Sequence, residues 1–168
     1  MIDFRVLGLE DAGQFFSHRL EGLRHVPTAF GAAYEDESSA GPSRWEAVLR
    51  KQDPSNVIFG AFAGEQLVGC VGIFQVEGRK SKHMLQIWGM YVKKAYQGRG
   101  IGKELVFKAL QQARIIPGVE QVGLSVEAGN ASARGLYEAC GFKVWGREPR
   151  ALLVEGKFYD EDHMVKIL

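Results

Sequence analysis

Seven consecutive residues, Gln97-Gly98-Arg99-Gly100-Ile101-Gly102-Lys103, combine alternate glycines with two cations just ahead of the most regular apolar helical pattern in the chain. Backbone amides converge at a helix N-terminus and its dipole favours negative charge, so this segment reads as a phosphate cradle. Arg99 and Lys103 would supply the compensating charge. Spacing narrows the owner of the phosphate. A Walker A loop requires Ser or Thr after its Lys, but Lys103 is followed by Glu104, leaving no hydroxyl for magnesium. A dinucleotide fingerprint requires GxGxxG within a parallel βαβ unit, whereas this is GxGxG after strands joined by short hairpin-like turns. ATP, GTP and NAD are disfavoured. Two other residues carry chemistry by type. His83, in a polar turn, has the intrinsic pKa of a base, and Cys140 could carry an acyl group. The plainer readings are a surface imidazole and a thiol packed on the apolar side of a helix beside Gly141.

A cradle of this kind needs a strand to deliver it and a helix to anchor it. Leu85 to Val92 is the long apolar run before it, and Gly102, Leu105, Val106, Ala109, Leu110 and Ala113 follow at helical spacing until Pro117-Gly118. Upstream, Val57 to Ala63 and Leu67 to Val76 are nearly continuous apolar runs separated by Gly64-Glu65, which predicts a hairpin covered on both faces. The chain opens with a short strand over Phe4 to Leu7 and a helix from near Asp11 with Ala12, Phe15, Phe16, Leu20 and Leu23 on one face. From Pro27 to Pro42 the periodicity fails, which predicts a loop with one turn of helix. Pro42 then opens a helix through Trp45, Val48 and Leu49. Downstream, Val122, Leu124 and Val126 alternate as a strand, and Asn130 caps a helix with Ser132, Gly135, Leu136 and Ala139 inward and Gly141 as its stop. Phe142 to Gly146 and Leu152 to Val154 lead through Glu155-Gly156-Lys157 into Phe158 to Leu168, an antiparallel closing hairpin.

The expectation is a single α/β domain with a mixed, mostly antiparallel sheet of six to seven strands and about four helices on both faces. The composition of the 168 residues agrees, at 46% hydrophobic and 24% charged, and such a length supports a full core without staples. Lys and Arg total 21 against 20 Asp and Glu, too even for a nucleic-acid or acidic-membrane binder. No apolar run is long enough to span a bilayer, and Met1 to Arg5 has no leader pattern. Cys70 and Cys140 lack metal-ligand spacing, so neither a disulfide nor a zinc site is expected, and the compartment predicted is the cytoplasm.

The cradle resembles the acetyl-CoA loop of the GCN5-related N-acetyltransferases, Gln/Arg-x-x-Gly-x-Gly/Ala, matched by Gln97 to Gly102. The resemblance extends to an Asn opening the next helix, a Tyr seven residues on and a Gly-Phe pair opening the next strand, here Asn130, Tyr137 and Gly141-Phe142. It covers about two thirds of the chain, from residue 56 onward. By resemblance, residues 1–55 form a variable acceptor-side region, 56–147 the acetyl-CoA-binding core and 148–168 the C-terminal hairpin. It implies an acetyl-CoA-dependent N-acetyltransferase without a metal, acting on a primary amine by direct attack.

What the resemblance implies for individual residues follows. The pyrophosphate of coenzyme A lies on the amides of Gly98, Arg99, Gly100, Ile101, Gly102 and Lys103. The pantetheine arm runs beside Met90, Tyr91 and Val92, where the sheet splays from the strand Gln121 to Val126, and Asn130 contacts the arm or its neighbouring backbone. Presenting a lysine-like amine in neutral form at pH 7 costs about 4 to 5 kcal/mol, so a base is wanted, and Glu127 is placed for it. The departing thiolate improves as a leaving group if it is protonated, and Tyr137 is placed for that. A backbone amide of Met90, Tyr91 or Val92 would polarise the thioester carbonyl.

Acceptor choice falls to the loop between the first two helices and to the closing hairpin. Phe30, Tyr34, Trp88 and Tyr159 would wall the substrate, and Glu35-Asp36-Glu37 with Asp160-Glu161-Asp162 could attract a cation. An amino acid, a polyamine, an antibiotic amine and a protein N-terminus all fit. A non-catalytic acetyl-CoA-binding regulatory module is the alternative, and a nucleotide-phosphate protein is disfavoured by the absent Walker hydroxyl. Met164 to Leu168 is apolar enough to pair within the sheet or to contribute to a homodimer.

Overall fold

The structure, a computed structural model, describes residues 1–168. Seven strands form one sheet: β1 (Ile2–Val6), β2 (Asn56–Ala63), β3 (Gln66–Gln75), β4 (Met84–Val92), β5 (Gln121–Glu127), β6 (Lys143–Val154) and β7 (Lys157–Ile167). Their spatial order is β1-β2-β3-β4-β5-β7-β6. Every neighbouring pair is antiparallel except β4 and β5. Five helices accompany it: α1 (Ala12–His25), α2 (Tyr34–Ala40), α3 (Ser43–Lys51), α4 (Ile101–Ile115) and α5 (Ala131–Ala139). No helix is long and apolar enough to cross a membrane.

The sheet is covered on both faces, which explains why β2 and β3 lack polar alternation. On one side α4 buries Ile101, Leu105, Val106, Ala109, Leu110 and Ala113 against Val57, Val68, Val71, Leu85 and Val122. Gly102 belongs to a different contact: a Cβ there would sit 3.2 Å from Leu136 of α5, so its lack of a side chain lets the two helices approach. On the other side α1 and α3 bury Phe15, Trp45 and Leu49 against Ile58, Phe62, Leu67 and Cys70.

Three elements differ from the sequence expectation. The opening strand starts two residues earlier, at Ile2. Tyr34–Ala40 is a two-turn helix within the segment expected to be mostly loop; its one buried residue, Glu37, is held by an ion pair and not by an apolar stripe. β6 is continuous where two short pieces were expected. It passes Pro149 and Arg150 through a register shift between Glu148 and Leu152, with Arg150 at φ 54° donating its amide to Asp160 Oδ1 at 2.8 Å.

The feature that makes room for a ligand is the divergence of β4 and β5. They pair only over Met84–Gln86 and Gln121–Gly123. Beyond that, β5 continues with β7 to Glu127 and β4 runs on to Val92 against β3, so the β4 edge facing β5 is open from Ile87 onward. The β3–β4 register also slips opposite Val71, where Gly89 adopts φ 64°. This bulge re-aims the backbone at the mouth of the opening.

Candidate active site

Between β4 and α4 the cradle has the geometry its sequence requires. Gln97 Nε2 donates to Val92 O at 2.9 Å, tying the loop to the end of β4. Gly98 (φ 72°) and Gly100 (φ 78°) take the left-handed conformation, and a Cβ at either would meet nothing within 4 Å. Their glycine is therefore set by backbone conformation and not by crowding. The six amides from Gly98 to Lys103 have no backbone partner; Glu104 N, bonded to Gly100 O at 3.0 Å, is the first that does. Six successive free donors at the N-terminus of a 15-residue helix form an anion site. Arg99 and Lys103 flank it and are exposed, Arg99 lying 5.3 Å from the Tyr96 ring centroid.

Across the opening, Asn130 caps α5, its Oδ1 accepting from Ala133 N at 3.1 Å. Tyr137, about two turns further along α5, is 6% exposed and meets Phe142 edge-on with ring centroids 5.9 Å apart. Burial, with a smaller contribution from Cys140, pushes its phenol well above the usual tyrosine range, so it stays a proton donor at neutral pH. Glu127 ends β5 with Oε1 accepting from Gly129 N at 2.9 Å, and lies opposite Glu161 in β7. Met90 and Val92 are half-buried at the bulge, while Tyr91 is buried towards α1, its hydroxyl donating to Glu21 at 3.1 Å.

A groove of about 560 Å³ lies between the α1–α2 connection and the tip of the β6–β7 hairpin, where the sequence predicts the acceptor side. Phe30 and Tyr34 line it with Leu152, Leu153 and Val154. Trp88 and Tyr159 lie apart from these. Trp88 stacks on Trp45 with centroids 5.3 Å apart, and Tyr159 pairs with Leu152 across the hairpin beneath Lys157. Three of the six acids expected to face a substrate are already engaged, Asp160 by the Arg150 amide. Glu37 is buried, 3.1 Å from Arg19 Nε and bonded to Trp45 Nε1, and Asp162 is buried between Arg134 and Arg147 at 3.1 and 2.7 Å.

Two residues that the sequence reading passed over stand on this side. His163 of β7 bridges Ser125 Oγ at 2.8 Å and Glu148 Oε2 at 3.0 Å. Ser125 alternates with the inward Leu124 and Val126, so this relay faces away from α4. Arg19 of α1 is 8% exposed, its guanidinium boxed by Trp45, Trp88 and Phe30 with centroid distances of 4.9, 5.4 and 5.8 Å. His83, by contrast, precedes β4 and its carbonyl accepts from Glu120 N, away from the opening. Cys140, half-buried after α5, has its thiol pKa raised by burial.

Comparison with known proteins agrees with this geometry. Residues 23–142 match the model of the Acetyltransferase (GNAT) family, and the chain belongs to that family. The N-alpha-acetyltransferase RimI of Mycobacterium tuberculosis is 39% identical over 128 residues, 74% of this chain and 78% of that one. A mycothiol acetyltransferase of Corynebacterium glutamicum is 38% identical over 90 residues, 54% of this chain but only 29% of that protein. Among solved structures, a GNAT-family acetyltransferase from Streptococcus pneumoniae superposes with a TM-score of 0.89 at 23% identity, covering 100% of both chains. A putative acetyltransferase from Salmonella typhimurium, solved with its cofactor acetyl-CoA, superposes at 0.84 with 18% identity, covering 99% of this chain and 94% of that one. The protein is an acyltransferase of the N-acetyltransferase class.

Proposed function

We propose that the protein transfers the acetyl group of acetyl-CoA to a primary amine by direct attack in a ternary complex. The observation that carries this reading is the run of six unpartnered amides from Gly98 to Lys103 opening onto the cleft between β4 and β5. In this reading Gln97 fixes the loop, Gly98, Arg99, Gly100, Ile101, Gly102 and Lys103 hold the pyrophosphate, and Asn130 meets the pantetheine arm. The backbone of Met90, Tyr91 and Val92 pairs with the arm as with an added strand and polarises the thioester carbonyl. No metal takes part.

The amine nitrogen bonds to the thioester carbon, the carbon–sulfur bond breaks, and the Tyr137 hydroxyl protonates the departing thiolate. The proton lost by the amine passes to Glu127 through water. Phe30 and Tyr34 wall the acceptor, in the region formed by residues 1–55 and the hairpin of 148–168. Residues 56–147 are the acetyl-CoA core. We place the protein in the cytoplasm, acting on neither nucleic acid nor membrane; Met164 to Ile167 pair within the sheet, on β5.

Tyr137→Phe tests the assignment. The reading requires kcat to fall about a hundredfold or more while acetyl-CoA affinity stays unchanged. An unchanged kcat removes Tyr137 from the chemistry. Glu127→Gln is expected to lose rate in the same way; full retention transfers the base role to His163 in its relay with Ser125 and Glu148.

A further inference from the structure

Arg19 is a buried cation whose hydrogen-bonding capacity the fold leaves unused. Its side chain is 9% exposed, and its single ionic partner is Glu37, with Oε1 3.1 Å from Nε. Even that contact lacks hydrogen-bond geometry, so buried Nε is unpartnered. A guanidinium has five donors, and burying a charge without satisfying them is costly unless something docks against it. The rings of Trp45, Trp88 and Phe30 surround the guanidinium, and Trp45 also holds Glu37 in place. This box fixes the orientation of the group. Nη1 lies at the β4 bulge, 3.5 Å from where a Cβ on Gly89 would be, and no atom from outside residues 88–90 comes nearer to that position.

We propose that Arg19 binds the carboxylate of the acceptor, and that the acceptor is a free α-amino acid. The inference rests on the transferase reading above, which puts the thioester beside Gly89–Val92. An amine attacking there with a carboxylate on the adjacent carbon brings that carboxylate to the bulge that Nη1 faces. The planar fork of a guanidinium matches a carboxylate with two parallel hydrogen bonds. Glu37 occupies the Nε side and leaves the Nη groups for the ligand. A zwitterion adds no net charge to the neutral Arg19–Glu37 pair. Phe30 is shared between the guanidinium box and the groove, which places the amino-acid side chain towards Tyr34 and Leu152. Among the amines that fit the sequence, this position singles out the amino acid.

The test is calorimetric titration of the 168-residue chain, saturated with free coenzyme A, with the proteinogenic amino acids and with the decarboxylated amines of leucine, phenylalanine and methionine. At least one amino acid is expected to bind about tenfold or more tightly than its decarboxylated amine. Arg19→Gln should bring the two to parity, and Arg19→Lys should recover part of the difference. Equal affinity for amino acid and amine in the wild type, no binding by any amino acid, or tighter binding of an N-terminal peptide would each overturn the proposal. The wild-type comparison decides even where a variant fails to fold. Thiol release from acetyl-CoA separates the two readings: carboxylate-dependent binding without release keeps the Arg19 site and defeats the transferase reading. Equal release with simple amines does the reverse.

Discussion

Acidification from pH 7 to pH 5 is expected to cost the protein about 2 kcal/mol of stability through His18 alone. This side chain is 2% exposed; Nε2 lies 3.2 Å from Tyr91 O and Nδ1 has no partner. Burial lowers its pKa from 6.5 to about 4, against the opposing hydrogen bond to Tyr91, and Lys93 lowers it further. In the unfolded chain the imidazole titrates near its ordinary value, so between the two pKa values the unfolded state holds more protons. Stability is therefore complete above about 6.5 and is lost as the pH falls towards 4. The limiting loss is about 3 kcal/mol, of which about 2 has gone by pH 5. For a chain of this size that lowers Tm by roughly 4 to 8 °C. Thermal unfolding by circular dichroism at pH 5, 6, 7 and 8 on wild type and His18→Gln measures it. Asp11, Glu21 and Asp162, all held below the usual carboxyl range, act in the same direction at lower pH and are common to both proteins. Tm curves that run parallel for the two proteins from pH 8 to pH 5 would refute the reasoning.

Gly100→Ala places a side chain at φ 78° with open space around it, so the expected cost is about 1 kcal/mol of backbone strain together with a smaller acetyl-CoA-induced rise in Tm. Urea unfolding and ligand melts check the two parts. Glu37→Gln leaves the Arg19 cation buried without its counter-charge and should destabilise by about 3 kcal/mol in urea unfolding, whereas a loss under 1 would show the pair to be incidental. Asn130→Ala removes the cap of α5 and should cost about 1 kcal/mol by the same assay.

The cofactor side of the site was legible in the sequence because its signals are local. The alternate glycines, the apolar stripe of α4, the Asn130 cap and the Gly141 stop each lie within one or two turns of what they organise. β6 was read as two pieces because Pro149 and the charges around it hide a strand that only its partner β7 holds together. α2 reads from sequence as only one helical turn because Tyr34-Glu35-Asp36-Glu37 has no apolar stripe, and Glu37 is buried only through Arg19 and Trp45, which lie in other helices. Arg19 itself sits in an ordinary amphipathic pattern, and its aromatic box is assembled from residues 11 to 69 positions away. His163 likewise gains its partners from two neighbouring strands. Acceptor-side chemistry is long-range by construction, and a single sequence carries no local mark of it.

Free-thiol release from acetyl-CoA by the wild-type protein, measured against amino acids, polyamines, aminoglycosides and N-terminal peptides, tests the central claim most directly. The account predicts release that depends on one class of amine, with acetyl-CoA alone raising Tm. Stabilisation by acetyl-CoA with no release for any amine would contradict catalysis and leave a binding module, and the absence of stabilisation would contradict the cradle itself.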